Sequence, residues 1–152
     1  TNVYSAAGIS GIQADTVGFL AGVFLDDSEP MDPPPPILNF RGNSDFLYLS
    51  PELRQTFFIG DGQTSNDIVQ TFFVPVGATR LFLGFADSYD RETHSITGPP
   101  RFYNDNGGYF EVTYSIHTVA EPPVASMLIA LAVSVCAICG RRHLVCTSLT
   151  SL

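Results

Sequence analysis

Short apolar runs separated by turn residues are the feature that most constrains how this chain can fold. In the first 119 residues, no stretch repeats its apolar residues every three to four positions, as an amphipathic helix requires. The apolar runs are short instead, and they end at glycine, proline or aspartate, which favour turns. This pattern is typical of β-strands. It predicts one all-β domain over residues 1–119, built as an antiparallel β-sandwich or jelly roll.

Individual strands can be assigned within this domain. Residues 17–25 form a continuous apolar run, which predicts a strand that is buried on both faces. Residues 26–36 contain five prolines, and these predict an irregular surface loop. Residues 46–49 form a short apolar patch, and the other predicted strands are 55–60, 67–75, 80–85 and 109–116. Alternation in the last two predicts a buried face made of Leu81, Leu83, Phe85, Phe110, Val112, Tyr114 and Ile116.

The distribution of charge limits the kinds of molecule that this domain is expected to bind. Residues 1–119 hold 14 Asp and Glu against 5 Arg, a net charge of −9, and the chain contains no Lys. Proteins that bind nucleic acids present clustered basic residues to the phosphate backbone. An acidic domain without a basic patch therefore predicts no nucleic-acid partner.

The C-terminal part of the chain has a different composition. Residues 124–139 form a 16-residue run without a charge, and Cys136, Cys139 and Cys146 lie in it or after it. As a helix the run is about 24 Å long, which is short of the roughly 30 Å hydrocarbon core of a membrane. Cys136 and Cys139 have CxxC spacing, but inside an apolar run we interpret them as small apolar residues. We predict one short apolar helix over 124–139 and a tail over 144–152.

A polar loop, residues 86–108, separates the last two predicted strands. Asp87 directly follows the first of these strands, and Asp105 and Asn106 lie just before the second. If the two strands are neighbours, both ends of the loop meet at one edge of the sheet. Ca²⁺ takes about six to eight oxygen ligands in tolerant geometry, so these side chains are candidate ligands. Asp, Asn and Gly also dominate ordinary turns, and composition alone leaves both interpretations open.

The stretch "QTFFVPVGATRLFLGFADSYD…YNDNGGYFEVTYSI" resembles the C-terminal half of the calcium-dependent galactose-binding bacterial lectins, which are β-sandwiches. The resemblance implies that Asp87, Asp105, Asn106 and the backbone carbonyl of Phe102 bind Ca²⁺, and that sugar hydroxyls complete the shell. The chain differs from the lectins in having Asp105 where they have Asn, and in its longer loop. The resemblance also implies that the first strands of the sandwich lie before Thr1.

The residues around the apolar run resemble the PEP-CTERM sorting signal of exported proteins in Gram-negative bacteria. Glu121 and Pro122 precede the run, and Arg141 and Arg142 follow it as a charge signal that holds a terminus in the cytoplasm. Ala120 stands where the family has its first proline, and the tail after the arginines is longer than usual. The resemblance implies that residues 120–143 are recognised by an exosortase at the inner membrane, and that the protein then reaches the cell surface or extracellular matrix.

These features favour an exported binding or structural protein over an enzyme. The chain has no GxSxG, HExxH or phosphate-binding glycine loop, and neither His94 nor His117 stands beside a recognisable nucleophile. The predicted function is therefore that of an exported binding or structural module, and the resemblance to the lectins implies that it binds an extracellular polysaccharide through calcium. One alternative is a ligand-free structural matrix protein, permanently anchored by its C-terminal helix. A further alternative is a glycoside-acting enzyme that uses a pair of carboxylates such as Asp87 and Asp90.

Overall fold

The structure, a computed structural model, describes residues 1–89, 95–99 and 107–117. Contacts divide the chain into two compact units, Thr1–Tyr109 and Phe110–Leu152. The described residues contain nine strands, all in the first unit, and no helix. This part of the chain is therefore all-β, as its sequence predicts.

The described residues of the first unit form three sheets. A four-stranded sheet has the order β4-β2-β1-β9, a three-stranded sheet the order β6-β3-β8, and a two-stranded sheet consists of β5 and β7. The strands are β1 (Asn2–Val3), β2 (Ile12–Gln13), β3 (Phe19–Leu25), β4 (Leu38–Asn39), β5 (Tyr48–Leu49), β6 (Thr56–Phe58), β7 (Thr71–Phe72), β8 (Arg80–Ala86) and β9 (Thr97–Gly98).

Strand β3 is the centre of the three-stranded sheet. It pairs antiparallel with β6 on one side and with β8 on the other. All of its residues except Gly22 and Val23 are both apolar and buried, and Gly22 is buried too. This confirms the predicted strand buried on both faces over Phe19–Leu25, whereas Val17, at the start of the predicted run, is 47% exposed and precedes the strand. A continuous apolar run suits such a position because neither face of the strand meets water.

Aromatic rings fill both faces of the three-stranded sheet. Phe57 and Phe58 are consecutive in β6, so their side chains point to opposite faces. The ring of Phe58 lies 4.7 Å from that of Phe19, whereas Phe57 lies 5.2 Å from Phe24 and 5.1 Å from Phe72 of β7. Both rings are buried and belong to the core cluster. The core is therefore built around β3 and β6 rather than around the last strands.

Turn residues end the strands where the sequence predicts. Strand β6 stops before Gly60 and Gly62, whose φ angles of 62° and 78° are accessible to glycine without strain. The backbone N–H of Gly62 donates to the carbonyl of Ile59 at 2.9 Å, which closes the turn. The proline-rich residues 26–36 contain no strand, and Arg54 donates from its guanidinium to the carbonyl of Met31 in that loop.

The prediction of purely antiparallel sheets is wrong. Strand β1 pairs with β9, β2 with β4 and β5 with β7 in parallel. Parallel neighbours need a long connection between them. The short strands are separated by long loops, such as the proline-rich one, and these loops allow the chain to return in the same direction.

The predicted burial of one face of β8 is wrong for Leu81 and Leu83, whereas Phe85 is half-buried. Leu81 and Leu83 are each 38% exposed, and Phe82 on the opposite face is 50% exposed. Among the described strands, β8 lies at the edge of its sheet, and it is less buried than the central strand β3. Of the strand's residues, only Ala86 is buried.

The predicted last strand, residues 109–116, is not a strand in the structure. Phe110 is 56% exposed and Val112 37% exposed, and Tyr109, Tyr114 and Ile116 are exposed as well. Alternation predicts a strand only where a partner completes the ladder and covers one face. The predicted contribution of Phe110, Val112, Tyr114 and Ile116 to the core is therefore wrong.

Candidate functional site

Asp87 directly follows β8, as predicted, and it is buried, with 4% exposure. The last residue of β8, Ala86, pairs with Phe19 at the start of β3. The Oδ1 atom of Asp87 accepts a hydrogen bond of 2.8 Å from the backbone N–H of Tyr89. Burying a carboxylate is costly unless hydrogen bonds or a cation compensate its charge. This strand end is therefore the strongest candidate for a site in the described part of the chain.

Ser88 joins this strand end to the start of β1. Its hydroxyl donates to the carbonyl of Ile96 at 2.7 Å and accepts from the backbone N–H of Asn2 at 3.3 Å. The same N–H of Asn2 donates to the Ile96 carbonyl at 2.7 Å. Asn2 is in turn the ladder partner of Thr97 in β9. We call this cluster, made of Thr1, Asn2, Asp87, Ser88 and Ile96, the Asp87 corner.

Two side-chain oxygens of the Asp87 corner are buried without a hydrogen-bond partner. They are Oγ1 of Thr1, a residue with no exposed surface, and Oδ1 of Asn2. More than nine in ten buried polar groups in folded proteins have such a partner. The corner therefore contains oxygens that are open to a further ligand.

The electrostatics of Thr1 place carboxylates near the corner. Burial, the largest effect, lowers the pKa of the Thr1 amino group, and the positive charge of Arg41 acts in the same direction. The carboxylates of Asp15 and Asp87 oppose this and raise that pKa. The amino group also donates to the carbonyls of Ala14, at 2.8 Å, and Thr16, at 3.2 Å. The corner thus combines the carboxylate of Asp87 with two positive charges, those of the Thr1 amino group and Arg41.

The structure locates one of the predicted calcium ligands. Phe102, Asp105 and Asn106 lie outside the described residues, so their distance from Asp87 stays a prediction. Within the described residues, no three His, Cys, Asp or Glu side chains come close enough together to hold a metal. Sequence reasoning missed Thr1 and Asn2, because their nearness to Ser88 depends on a pairing between distant strands.

The predicted sorting signal also lies outside the described residues. This holds for Glu121 and Pro122, for Arg141 and Arg142, and for the predicted helix and tail. Among the residues that are described, none belongs to a helix of the length and apolarity needed to cross a bilayer.

An open apolar groove lies beside β8. Its volume is about 300 Å³, and its walls include Val3, Ile12, Ala21 and Phe82. The hydroxyls of Ser10 and Thr56 also line it, but both are engaged: Ser10 Oγ donates to the Gly11 carbonyl, and Thr56 Oγ1 donates to the Ser10 carbonyl. A ligand site usually offers a few polar groups that orient its ligand. The groove is therefore a weaker candidate than the Asp87 corner.

His117 has a hydroxyl neighbour that sequence reasoning did not anticipate. Its Nε2 atom lies 3.0 Å from Oγ of Ser115, and both side chains are exposed. A catalytic serine needs a base that a third group orients, in a site with donors for the developing charge. The pair lies on an exposed extended segment, so its geometry does not favour the enzyme alternative.

Comparisons with known proteins do not assign a family or a function to this chain. No family model, no curated protein and no solved structure matches the chain.

Proposed function

We propose that this chain is an exported β-sandwich of the jelly-roll type that holds Ca²⁺ at Asp87 and binds an extracellular polysaccharide through it. Phe102, Asp105 and Asn106 would supply the other ligands of the ion, as the resemblance to the galactose-binding lectins implies. The protein would act at the cell surface or in the matrix as a binding module without catalytic activity.

The observation that carries the proposal is the burial of the Asp87 carboxylate directly after β8. An aspartate in an ordinary surface turn is exposed to water, whereas this one is only 4% exposed. A calcium ion would compensate the charge of this carboxylate. The resemblance assigns the same residue to the metal by an independent argument.

A thermal melt of the full chain in mild detergent tests the calcium site. Calcium at a hundred times its dissociation constant should stabilise the folded state by about 2.7 kcal/mol relative to chelator. Asp87→Asn should remove most of that difference, because it takes away the negative charge but keeps the size of the side chain. Asp45→Asn is the matched control, since Asp45 is an exposed aspartate whose carboxylate bonds to Ser65. It should leave the calcium effect intact.

Identical midpoints in calcium and chelator, with no heat on calcium titration, would contradict the metal site. The ligand-free structural matrix protein would then be the better hypothesis. If calcium stabilises the chain, retention on immobilised galactose polymers with and without chelator decides whether sugar binding depends on the ion.

We also propose that residues 120–143 are a sorting signal that an exosortase processes at the inner membrane. The supporting features are Glu121 and Pro122, the uncharged run over 124–139, and Arg141 with Arg142. In a host with an exosortase, a C-terminal epitope tag should be lost from the exported protein. Replacing Glu121 and Pro122 by alanine should leave the tag in place. Retention of the tag on the unaltered chain would instead favour a permanent anchor over residues 124–139.

A further inference from the structure

We infer that strand β8 pairs edge to edge with β8 of a second copy of this chain, so that two three-stranded sheets join into one sheet. The inference goes beyond the proposed function and does not depend on calcium. It rests on residues 80–84, the five exposed residues of the strand, which we call the β8 edge.

The first observation is that the β8 edge has an unused side. Among the described strands, β8 pairs with β3 alone. Leu81 and Leu83 are each 38% exposed, and Phe82 is 50% exposed. The outer side of an edge strand presents backbone N–H and C=O groups that can pair with another strand. The β8 edge therefore offers a partner strand both a hydrogen-bond ladder and apolar side chains to bury.

The β8 edge also lacks the features that usually keep an edge strand from pairing. Such strands carry charges or prolines, but residues 81–84 contain neither. The one charged residue, Arg80, donates to the carbonyls of Asp26 and Ser28, and its guanidinium lies 5.8 Å from the ring of Phe82. A Cβ atom on Gly84 would meet nothing within 4 Å, so the space above this residue is open to a side chain of the partner.

The charge of Arg80 selects the direction of pairing. In a parallel pair, the two arginines would lie close to each other and repel. In an antiparallel pair, they lie at opposite ends of the β8 edge, about 14 Å apart. An antiparallel pair of identical strands has two-fold symmetry, which is the commonest symmetry of protein dimers. The charge therefore favours an antiparallel dimer.

The two-fold symmetry also determines the register. Opposite residues of an antiparallel pair point to the same face, so the axis passes through a residue position and not between two positions. An axis through Phe82 is the one that pairs all five residues of the β8 edge with one another. It sets Phe82 opposite Phe82, Leu81 opposite Leu83, and Arg80 opposite the open space at Gly84. This match of the edge with itself is the reason to infer a second copy as the partner.

The size of the β8 edge predicts a weak dimer. A standard protein interface uses about 20–30 residues on each side, whereas the β8 edge has five. The association should therefore depend on the concentration of the chain. A covalent trap is the most direct way to detect it.

Disulfide cross-linking tests the register in the full chain in mild detergent, with its three native cysteines replaced by alanine. Phe82→Cys should form a disulfide-linked dimer on mild oxidation, because opposite Cβ atoms lie about 4.5–5.5 Å apart, close to the distance in a disulfide. Leu81→Cys alone should give at least about tenfold less dimer, because the two copies of this position lie about 8 Å apart. A mixture of Leu81→Cys and Leu83→Cys chains should cross-link again.

Sedimentation equilibrium in density-matched detergent gives a second readout. Phe82→Lys places two like charges at the axis and should weaken the dimer at least about tenfold. Val76→Lys is the matched control, since Val76 is a 98% exposed valine outside the β8 edge. It should leave the dissociation constant unchanged. A thermal melt of Phe82→Lys checks that the variant is folded, and if it is not, the cross-linking decides.

Two results would overturn the inference. Phe82→Cys chains that stay monomeric on oxidation would show that the edge is unpaired or covered by another segment of the same chain. A dimer that Phe82→Lys leaves intact would be held together elsewhere, for example by residues 124–139. Neither result involves calcium, so the proposed function would stand or fall separately.

Discussion

Strands β3 and β8 are neighbours of equal length, seven residues each, and both consist almost entirely of apolar residues. They pair along their whole length, from Phe19 with Ala86 to Leu25 with Arg80. Their surroundings nevertheless differ completely: β3 is buried on both faces, whereas five of the seven residues of β8 are exposed. The difference follows from the order of the strands, because β3 lies between two partners and β8 has only one within the described residues.

This contrast shows that an apolar run does not by itself predict a central strand. Edge strands usually carry charges, prolines or bulges that prevent pairing with other chains. Strand β8 has one charged residue, Arg80, whose guanidinium lies 5.8 Å from the ring of Phe82. Within the described residues, β8 therefore carries a charge at one end only, and Leu81, Phe82 and Leu83 are exposed.

The largest expected difference between the two strands comes from truncating a phenylalanine in each. Phe24→Ala should destabilise the fold by about 3–5 kcal/mol, because it leaves a cavity beside Phe57 in the core. Phe82→Ala should lower the free energy of unfolding by only about 1 kcal/mol, because half of the Phe82 side chain is already exposed to water. Urea unfolding followed by fluorescence or circular dichroism measures both values. Equal losses would show that β8 is covered in solution.

A smaller difference is expected from the two glycines at the middle of these strands. A Cβ atom on Gly22 would lie 2.5 Å from the ring of Phe57, whereas a Cβ atom on Gly84 would meet nothing within 4 Å. Neither residue has a positive φ, so alanine fits the backbone at both positions. Gly22→Ala should destabilise by about 1–3 kcal/mol through overpacking.

Gly84→Ala should instead stabilise by roughly 0.5–1 kcal/mol, because alanine loses less conformational freedom on folding. Denaturant midpoints of the two variants, measured in parallel, should therefore move in opposite directions. A stable Gly22→Ala variant would mean that the ring of Phe57 moves away at little cost.

The smallest effect is expected at the end that the two strands share. Asp26 follows β3, and its carboxylate accepts hydrogen bonds from the hydroxyl and the backbone N–H of Ser28. The bond from the hydroxyl has the larger effect, and both bonds lower the pKa of the Asp26 carboxyl from its ordinary value of 3.8. Because the folded state has the lower pKa, the contribution to stability is present above about pH 3.8 and is lost as the pH falls through the folded pKa.

Ser28→Ala should raise the pKa of Asp26 towards its ordinary value, and carboxyl NMR titration of the labelled chain measures the change. Ser65→Ala is the matched control, since Ser65 lowers the pKa of Asp45 through its backbone and hydroxyl hydrogen bonds. It should leave the titration of Asp26 unchanged. If Ser28→Ala has no effect, the backbone N–H of Ser28 and the nearby arginines, rather than the hydroxyl, lower the pKa of this carboxyl.

Local features of the sequence determined the presence of strands, the turn at Gly62, the irregular proline-rich loop and the place of Asp87 directly after a strand. Each of these depends on a few consecutive residues, whose backbone preferences and alternation are already set within the segment. The same local reasoning failed for residues 109–116, where the alternation is regular but no strand forms. Alternation with a period of two describes the side-chain pattern of one segment, but it does not identify the strand with which that segment pairs.

Only the tertiary structure decided that β3 is central and β8 is an edge, and that β1 pairs in parallel with β9. The parallel pairing joins Asn2 to Thr97, and the hydrogen bond to Ser88 spans 86 positions of the chain. The physical reason is that a ladder between distant segments forms through loop closure and shared burial, and neither quantity belongs to any one segment. The sequence therefore predicted Asp87 as a candidate ligand, whereas the fold brought the oxygens of Thr1 and Asn2 to the same corner.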